Sequence, residues 1–163
     1  MRLLFLTIFV AILSVSFMGC SRSNKEGSNY QHVSDDDAAM NSAIEKAKAS
    51  SDDFVKAFHA QKPGTSEFFV KKPYPTPSGE AEHMWIEVTE ENSGVLRGVI
   101  ANEAEETHEV KRGQAVSLKI SEISDWKYVD GKKLVGGYTI RFFYDRMSPK
   151  EKEDFIKEAG FEM

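Results

Sequence analysis

The sequence predicts an α+β domain: a long N-terminal helix packed on a curved antiparallel sheet, or on a small partly open β-barrel, of five or six strands, followed by a short C-terminal helix. Three observations carry this prediction. Apolar residues from Met40 to Phe58 recur at steps of four and three, the spacing of one helix face. Between Phe68 and Tyr144 the text changes to short β-prone runs, some alternating apolar and polar, separated by turn signals. After Met147 the run Ser148-Pro149-Lys150-Glu151 starts a helix again.

The chain opens on Met1-Arg2, then on an uncharged, almost wholly apolar run from Leu3 to Met18. Gly19-Cys20 follows, and from Ser21 the text is abruptly polar. A positive start, an apolar run and a small residue before the cut read as an export signal that is removed. Sixteen residues fall short of the ~20 that span a bilayer as an anchor. The A-x-A-like site of an ordinary secretory signal is not found nearby. The run Phe17-Met18-Gly19-Cys20 resembles the lipobox of bacterial lipoproteins: Gly19 fits, while Phe17 and Met18 are bulkier than the usual pattern. The resemblance implies cleavage before Cys20 and a lipid on its thiol, of the kind that incorporates palmitate, anchoring the chain to a membrane. Each buried CH2 of such chains contributes ~0.8 kcal/mol. The expected address is the bacterial cell envelope, and with Ser21 after the cysteine the periplasmic face of the outer membrane in a Gram-negative host. Residues 1–19 are thus expected as signal peptide, 20–34 as a flexible tether rich in Ser, Asn and Gln, and 35–163 as a single domain.

Ser34-Asp35-Asp36-Asp37 supplies N-cap residues and suits the positive end of a helix dipole. It lacks the D-x-D-x-D-G spacing of a calcium loop. The face Met40, Ile44, Ala47, Ser51, Phe54, Phe58 predicts a helix to about Ala60, stopped by Pro63-Gly64. Phe68 to Lys72 is a short strand, and Pro73 to Gly79 a rigid loop excluded from a central strand. His83 to Thr89 alternates, with Met84, Ile86 and Val88 on one face and His83, Trp85 and Glu87 on the other. Glu91 to Gly94 turns the chain, and Val95 to Ala101 returns. Asn102 to Arg112 reads as a loop and Ala115 to Ile120 as a strand. Ile123 to Val129 and Leu134 to Tyr144 form a hairpin about Asp130-Gly131, with Gly136-Gly137 marking a bulge or tight bend. The last helix runs from Ser148 to Gly160, and Phe161 is placed to fold back on the domain.

The mature chain of 144 residues carries about −6 net charge, against the basic patch that nucleic-acid binding needs. With Cys20 acylated no thiol is left for a disulfide, a thiolate metal site or a nucleophile. His32, His59, His83 and His108 are scattered without metal-ligand spacing. No G-x-S-x-G, H-E-x-x-H or glycine-rich phosphate loop occurs, so no cofactor and no metal is expected.

Several segments are distinctive as words: Asp36-Asp37-Ala38-Ala39-Met40-Asn41-Ser42-Ala43-Ile44, Glu82-His83-Met84-Trp85-Ile86-Glu87-Val88-Thr89, and Ile123-Ser124-Asp125-Trp126-Lys127-Tyr128-Val129. Lys133 to Arg141 and Asp145-Arg146-Met147-Ser148-Pro149 are equally distinctive. With these, the chain from about residue 35 to its end resembles the bacterial YegJ-like lipoprotein family, a domain of unknown function. The resemblance implies one compact domain, often exported and sometimes joined to other modules. It brings no catalytic residues.

The candidate binding surface is His83, Trp85, Trp126 and Tyr128: an aromatic strip with polar tips, provided the two strand faces meet on one side of the sheet. The competing expectation places Trp85 and Trp126 under the long helix as core. His83 and Glu87 lie four apart on a strand, about 13 Å, and so cannot form an acid–base dyad. Asp125 reads as a turn or strand-edge residue, and Arg141 and Arg146 as solvated or paired with acids. Two functions are carried forward. One is a non-catalytic lipoprotein domain that binds an envelope protein or peptide, with a protective, immunity-like role as a variant. The alternative is an envelope hydrolase with an unrecognised site.

Overall fold

The computed structural model describes residues 37–163. The expected signal peptide 1–19, Cys20 and the tether 20–34 lie outside the described residues. Asp37 caps the first helix: its carboxylate accepts the N–H of Ala39 at 2.8 Å and of Met40 at 3.1 Å, donors that a helix start leaves unpaired.

The single long helix expected here is two, α1 (Ala38–Ala49) and α2 (Ser51–Ala60), meeting at Ser50. The break has a cause outside the helix. The indole N–H of Trp126 donates to the Ala47 carbonyl at 2.9 Å, the oxygen that Ser51 N–H takes in an unbroken helix. The Ser50 hydroxyl takes the Lys46 carbonyl at 2.8 Å. A helix bends where a side chain enters its ladder.

Six strands follow: β1 (Thr65–Pro75), β2 (Ala81–Asn92), β3 (Val95–Ile100), β4 (Ala115–Lys119), β5 (Asp125–Asp130) and β6 (Lys133–Gly136). They form one open antiparallel sheet, not a barrel, in the order β4-β3-β2-β1-β5-β6. Its inner face carries Val70, Met84, Ile86, Leu96, Leu118 and Trp126, all buried, together with Phe54 of α2. The Asn102–Arg112 loop is pinned at its middle. The buried Glu82 carboxylate accepts the N–H groups of Glu105, Glu106 and Thr107 at 2.8–2.9 Å.

Two strand limits differ from expectation. β1 is a central strand and runs through Pro73 to Pro75, not into a loop at Pro73. Lys71 accepts the N–H of Ser124 at 2.7 Å, so odd-numbered positions of β1 turn their polar groups toward β5. β5 pairs only as far as Lys71, and the two prolines lack their N–H where no neighbouring strand asks for it. The second difference is after β6. Leu134 to Tyr144 was expected as a strand, but β6 ends at Gly136 and α3 occupies Tyr138–Arg146. Gly136 and Gly137 take φ of 73° and 63°, a left-handed pair that turns the strand into the helix.

The last helix, α4 (Pro149–Ala159), starts as expected: Ser148 and Glu151 cap each other's N–H groups at 3.4 and 2.7 Å. Phe161 folds back to pack with Val129 and Leu134 on the outer face of β5 and β6.

A Cβ on Gly136 would lie 2.4 Å from the Trp126 carbonyl oxygen and 2.5–2.6 Å from its ring, at a φ that L-residues avoid. Gly136→Ala is expected to cost at least about 3 kcal/mol of unfolding free energy in urea denaturation. A loss below about 1 kcal/mol would show that the indole can yield its place.

Candidate functional site

The strand registers fix which side of the sheet each candidate residue occupies. Val70 stands opposite Trp126 and Ile86, while Lys71 stands opposite Asp125 and Trp85. Trp126 and Tyr128 therefore lie on the inner face, and His83 and Trp85 on the outer. The four residues do not form one strip, because alternation relates positions within a strand and only the pairing register relates strands.

Trp126 is 3 % exposed. Its ring packs against Phe54 at 5.9 Å, Tyr138 at 5.8 Å and Tyr128 at 6.2 Å. Tyr128 is half-buried and stacks on Phe68 at 5.1 Å. Both side chains belong to the layer between sheet and helices.

Asp125, the residue before Trp126, points the opposite way and is fully buried. It is not a turn residue. One carboxylate oxygen accepts the N–H of Tyr138 at 3.1 Å; the other accepts the N–H of Thr139 at 2.8 Å and its hydroxyl at 2.6 Å. Gly137, the N-cap of α3, has no side chain to do this, so Asp125 caps the helix from another strand. Lys71 reaches the same cluster, its ammonium 3.3 Å from the Thr139 hydroxyl and 5.1 Å over the Trp85 ring. Burial pushes the Asp125 carboxyl above the usual carboxylate range, against the hydrogen bonds of Thr139 and the charge of Lys71. Burial likewise pushes the Lys71 ammonium down, against the pull of Asp125.

Arg141 and Arg146, expected to be solvated or paired with acids, both bond backbone carbonyls; Arg141 is half-buried, while Arg146 is exposed as expected. Arg141 donates to Gly136 at 2.9 Å and Leu134 at 2.7 Å. Arg146 donates to Phe142 at 2.8 Å and lies 3.5 Å over its ring.

Among the described residues, His83 and Ser124 are the one arrangement with a nucleophile–base outline. Nδ1 of His83 lies 2.7 Å from the Ser124 hydroxyl, beside a groove of about 330 Å³ between α1 and the Ser121–Ser124 segment. Acyl transfer needs an open hydroxyl and unspent N–H donors next to it. Ser124 is 2 % exposed, its N–H is spent on Lys71 and its hydroxyl lies 3.3 Å from the same carbonyl. The geometry makes this pair a clasp holding the start of β5 to β1 and β2. Among the described residues no group of three or more His, Cys, Asp or Glu is placed to hold a metal ion. No helix among them is long and apolar enough to cross a membrane.

What remains open is the outer face of β2, β3 and β4. Trp85, His83 and Val99 are half-buried there, Val95 is 39 % exposed, and Glu87, Thr89 and Arg97 are exposed. Phe69 continues the surface on β1, with the Lys127 ammonium 4.7 Å over its ring. Alternation in β2 makes Trp85 and His83 legible from the sequence. Phe69 was missed because a bulge in β1, where two residues face one of β5, shifts the phase between Ser66 and Phe69.

Two outcomes are expected from this geometry. Trp126→Ala removes a buried ring and a spent N–H, and is expected to cost about 3–5 kcal/mol in chemical denaturation. A variant as stable as the parent would place the indole outside the core. The second concerns pH. A carboxyl whose folded pKa is raised favours folding below its ordinary value, and that contribution is lost as pH rises through the folded pKa. Lys71, shifted down, contributes above the ordinary lysine value and loses that as pH falls through its folded pKa. The parent's stability relative to Asp125→Asn is therefore expected to fall as pH rises from the ordinary aspartate value through the raised folded pKa. A difference that grew with pH over that range would overturn the direction assigned to Asp125.

Comparisons with known proteins give a family for the described residues. Residues 37–163 match the model of a family described as "Uncharacterized protein conserved in bacteria (DUF2314)". The chain is 37 % identical over 122 residues to "Uncharacterized protein YegJ" of Escherichia coli (strain K12), covering 75 % of this chain and 77 % of that one. It is 31 % identical over 81 residues to "Putative ankyrin repeat protein NMB1133/NMB1171" of Neisseria meningitidis serogroup B, covering 50 % of this chain and 32 % of that protein. No solved structure matches. With both helical pairs and all six strands inside the matched span, the chain belongs to the DUF2314 family, the YegJ-like proteins of unknown function.

Proposed function

We propose that this protein is a lipid-anchored, non-catalytic domain of the bacterial envelope that binds a protein or peptide through the outer face centred on Trp85. One observation carries the reading: on the outer side of β2–β4 the Trp85 indole is half-buried, Val95 is 39 % exposed, and Glu87, Thr89 and Arg97 around them are exposed. An aromatic surface edged by the exposed Glu87, Thr89 and Arg97 suits a polypeptide, with the ring as anchor and the polar groups as rim. The hydrolase alternative has its best support in His83 and Ser124, and that hydroxyl is closed off. Attachment through Cys20 would hold this surface at the membrane, on the periplasmic side of the outer membrane in a Gram-negative host. A protective role, in which the face covers a toxin or hydrolase, is a variant of the same binding.

Trp85→Ala is expected to stay folded and melt within about 10 °C of the parent, since it removes the ring beneath the Lys71 ammonium but opens no cavity in the core. The same change is expected to weaken partner capture from detergent-solubilised membranes by about 2 kcal/mol or more. Capture unaffected by Trp85→Ala would remove the outer face from the mechanism. Cys20→Ala is expected to leave an unprocessed precursor that takes up no labelled palmitate. A variant still cut and lipidated like the parent would sink the anchor.

A further inference from the structure

The pairing register sets what stands around Trp85. One row across the outer face reads Lys127, Phe69, Glu87, Val99 and Ala115, a residue each from β5, β1, β2, β3 and β4. Residues directly opposite on antiparallel strands hold their Cβ atoms about 4.5–5.5 Å apart. Trp85 lies two positions from Glu87 along β2, on the same face. The exposed Glu87 carboxylate therefore rises from apolar surroundings, with half-buried Phe69 on one side, half-buried Val99 on the other and the indole beside it.

The cations nearest to Glu87 are committed elsewhere. Lys127 pairs with Glu67 at 3.0 Å, its ammonium over the Phe69 and Phe161 rings at 4.7 and 5.2 Å. Arg97 pairs with Glu90, directly opposite it, at 2.9 Å. Lys71 turns its ammonium to the Thr139 hydroxyl at 3.3 Å. Lys119 stands opposite Val95, four positions along β3 from Val99, or about 13 Å. Among the described residues no hydrogen bond or ion pair engages the Glu87 carboxylate.

Water satisfies that carboxylate while the face is bare. A polypeptide seated on Trp85, Phe69 and Val99 displaces the water, because Glu87 lies among those three side chains. A carboxylate covered without an opposite charge is strongly unfavourable, so the occupant has to bring the cation. We propose, on the footing of that binding face, that the segment it takes is basic: a lysine or arginine side chain lays its methylenes on the Trp85 indole and sets its cation on Glu87. An acidic segment would bring carboxylate against carboxylate over the same ring. The chain's 26 acidic against 21 basic residues act in the same sense, drawing a basic segment in from a distance.

The test uses the full chain in an uncharged detergent and two capped nonapeptides. One has lysine at every second position with threonine between; the other has glutamate in place of lysine. Affinities are read by titration calorimetry at about 0.15 M salt, where long-range attraction is screened. The parent is expected to bind the lysine peptide at least about tenfold more tightly than the glutamate peptide. Glu87→Gln keeps the side chain's size and is expected to weaken the lysine peptide at least about tenfold. Glu153→Gln removes the same charge from an exposed position on α4 and is expected to change that affinity less than about twofold. Weakening by Trp85→Ala without weakening by Glu87→Gln would keep the binding face and overturn the basic partner. Equal weakening by Glu87→Gln and Glu153→Gln would reduce the attraction to net charge and overturn it as well. Binding of the lysine peptide unchanged by both Trp85→Ala and Glu87→Gln would remove the face itself, and the basic partner with it. No binding of the lysine peptide up to about 1 mM, or a preference for the glutamate peptide, would also overturn the proposal.

Discussion

The bond from the Trp126 indole N–H to the Ala47 carbonyl holds this fold in register with itself. A buried indole is stable only when its N–H has an acceptor, and here the acceptor is taken out of a helix. That one substitution of partners ends α1 and lets α2 turn, so that Phe54 packs against the same ring. It also sets what surrounds the ring on its other flanks. Gly136 lies where any side chain would strike the indole, and Tyr138 meets its edge while bonding the Ser50 hydroxyl at the helix break. Helix pair, sheet and the start of α3 are fixed by contacts to one side chain.

Asp125 does on the outer face what Trp126 does on the inner. Its carboxylate gathers the two leading N–H groups of α3 and the Thr139 hydroxyl, with the Lys71 ammonium beyond. Burying a carboxylate is costly unless its oxygens are filled, and these are. Two successive residues of β5, pointing opposite ways, thus place everything that follows them. The consequence for function is an asymmetry. Helices, the long loop and the C-terminal segment cover the inner face and the β5–β6 side of the outer face, and β2–β4 are left with Trp85 at the surface.

What was legible in the sequence follows from the range of the forces involved. The Ser148–Glu151 cap, the Asp37 cap, the Asp130-Gly131 turn and the alternation of β2 each depend on residues within a few positions of one another, and each is in the structure as read. Failures came where a distant partner overrides local preference. β-branched and aromatic residues from Tyr138 to Tyr144 favour a strand, yet Asp125 supplies the cap that makes them helix α3. Pro73 argues against a central strand, but it stands where β5 has already left the sheet.

The sequence by itself determined the class of fold, the helical segments at either end of a run of strands, the inward set Met84, Ile86 and Val88, and the pairing of His83 with Trp85 on the opposite face, because periodicity and capping are properties of adjacent residues. Only the tertiary structure decided that Trp126 and Tyr128 lie on the other side of the sheet from Trp85. It alone decided that the sheet stays open and that α1 breaks at Ser50. Strand alternation says which residues share a face but not which face meets the core; that is settled by hydrogen-bond register between strands far apart in the chain, and a shift of one residue would reverse it.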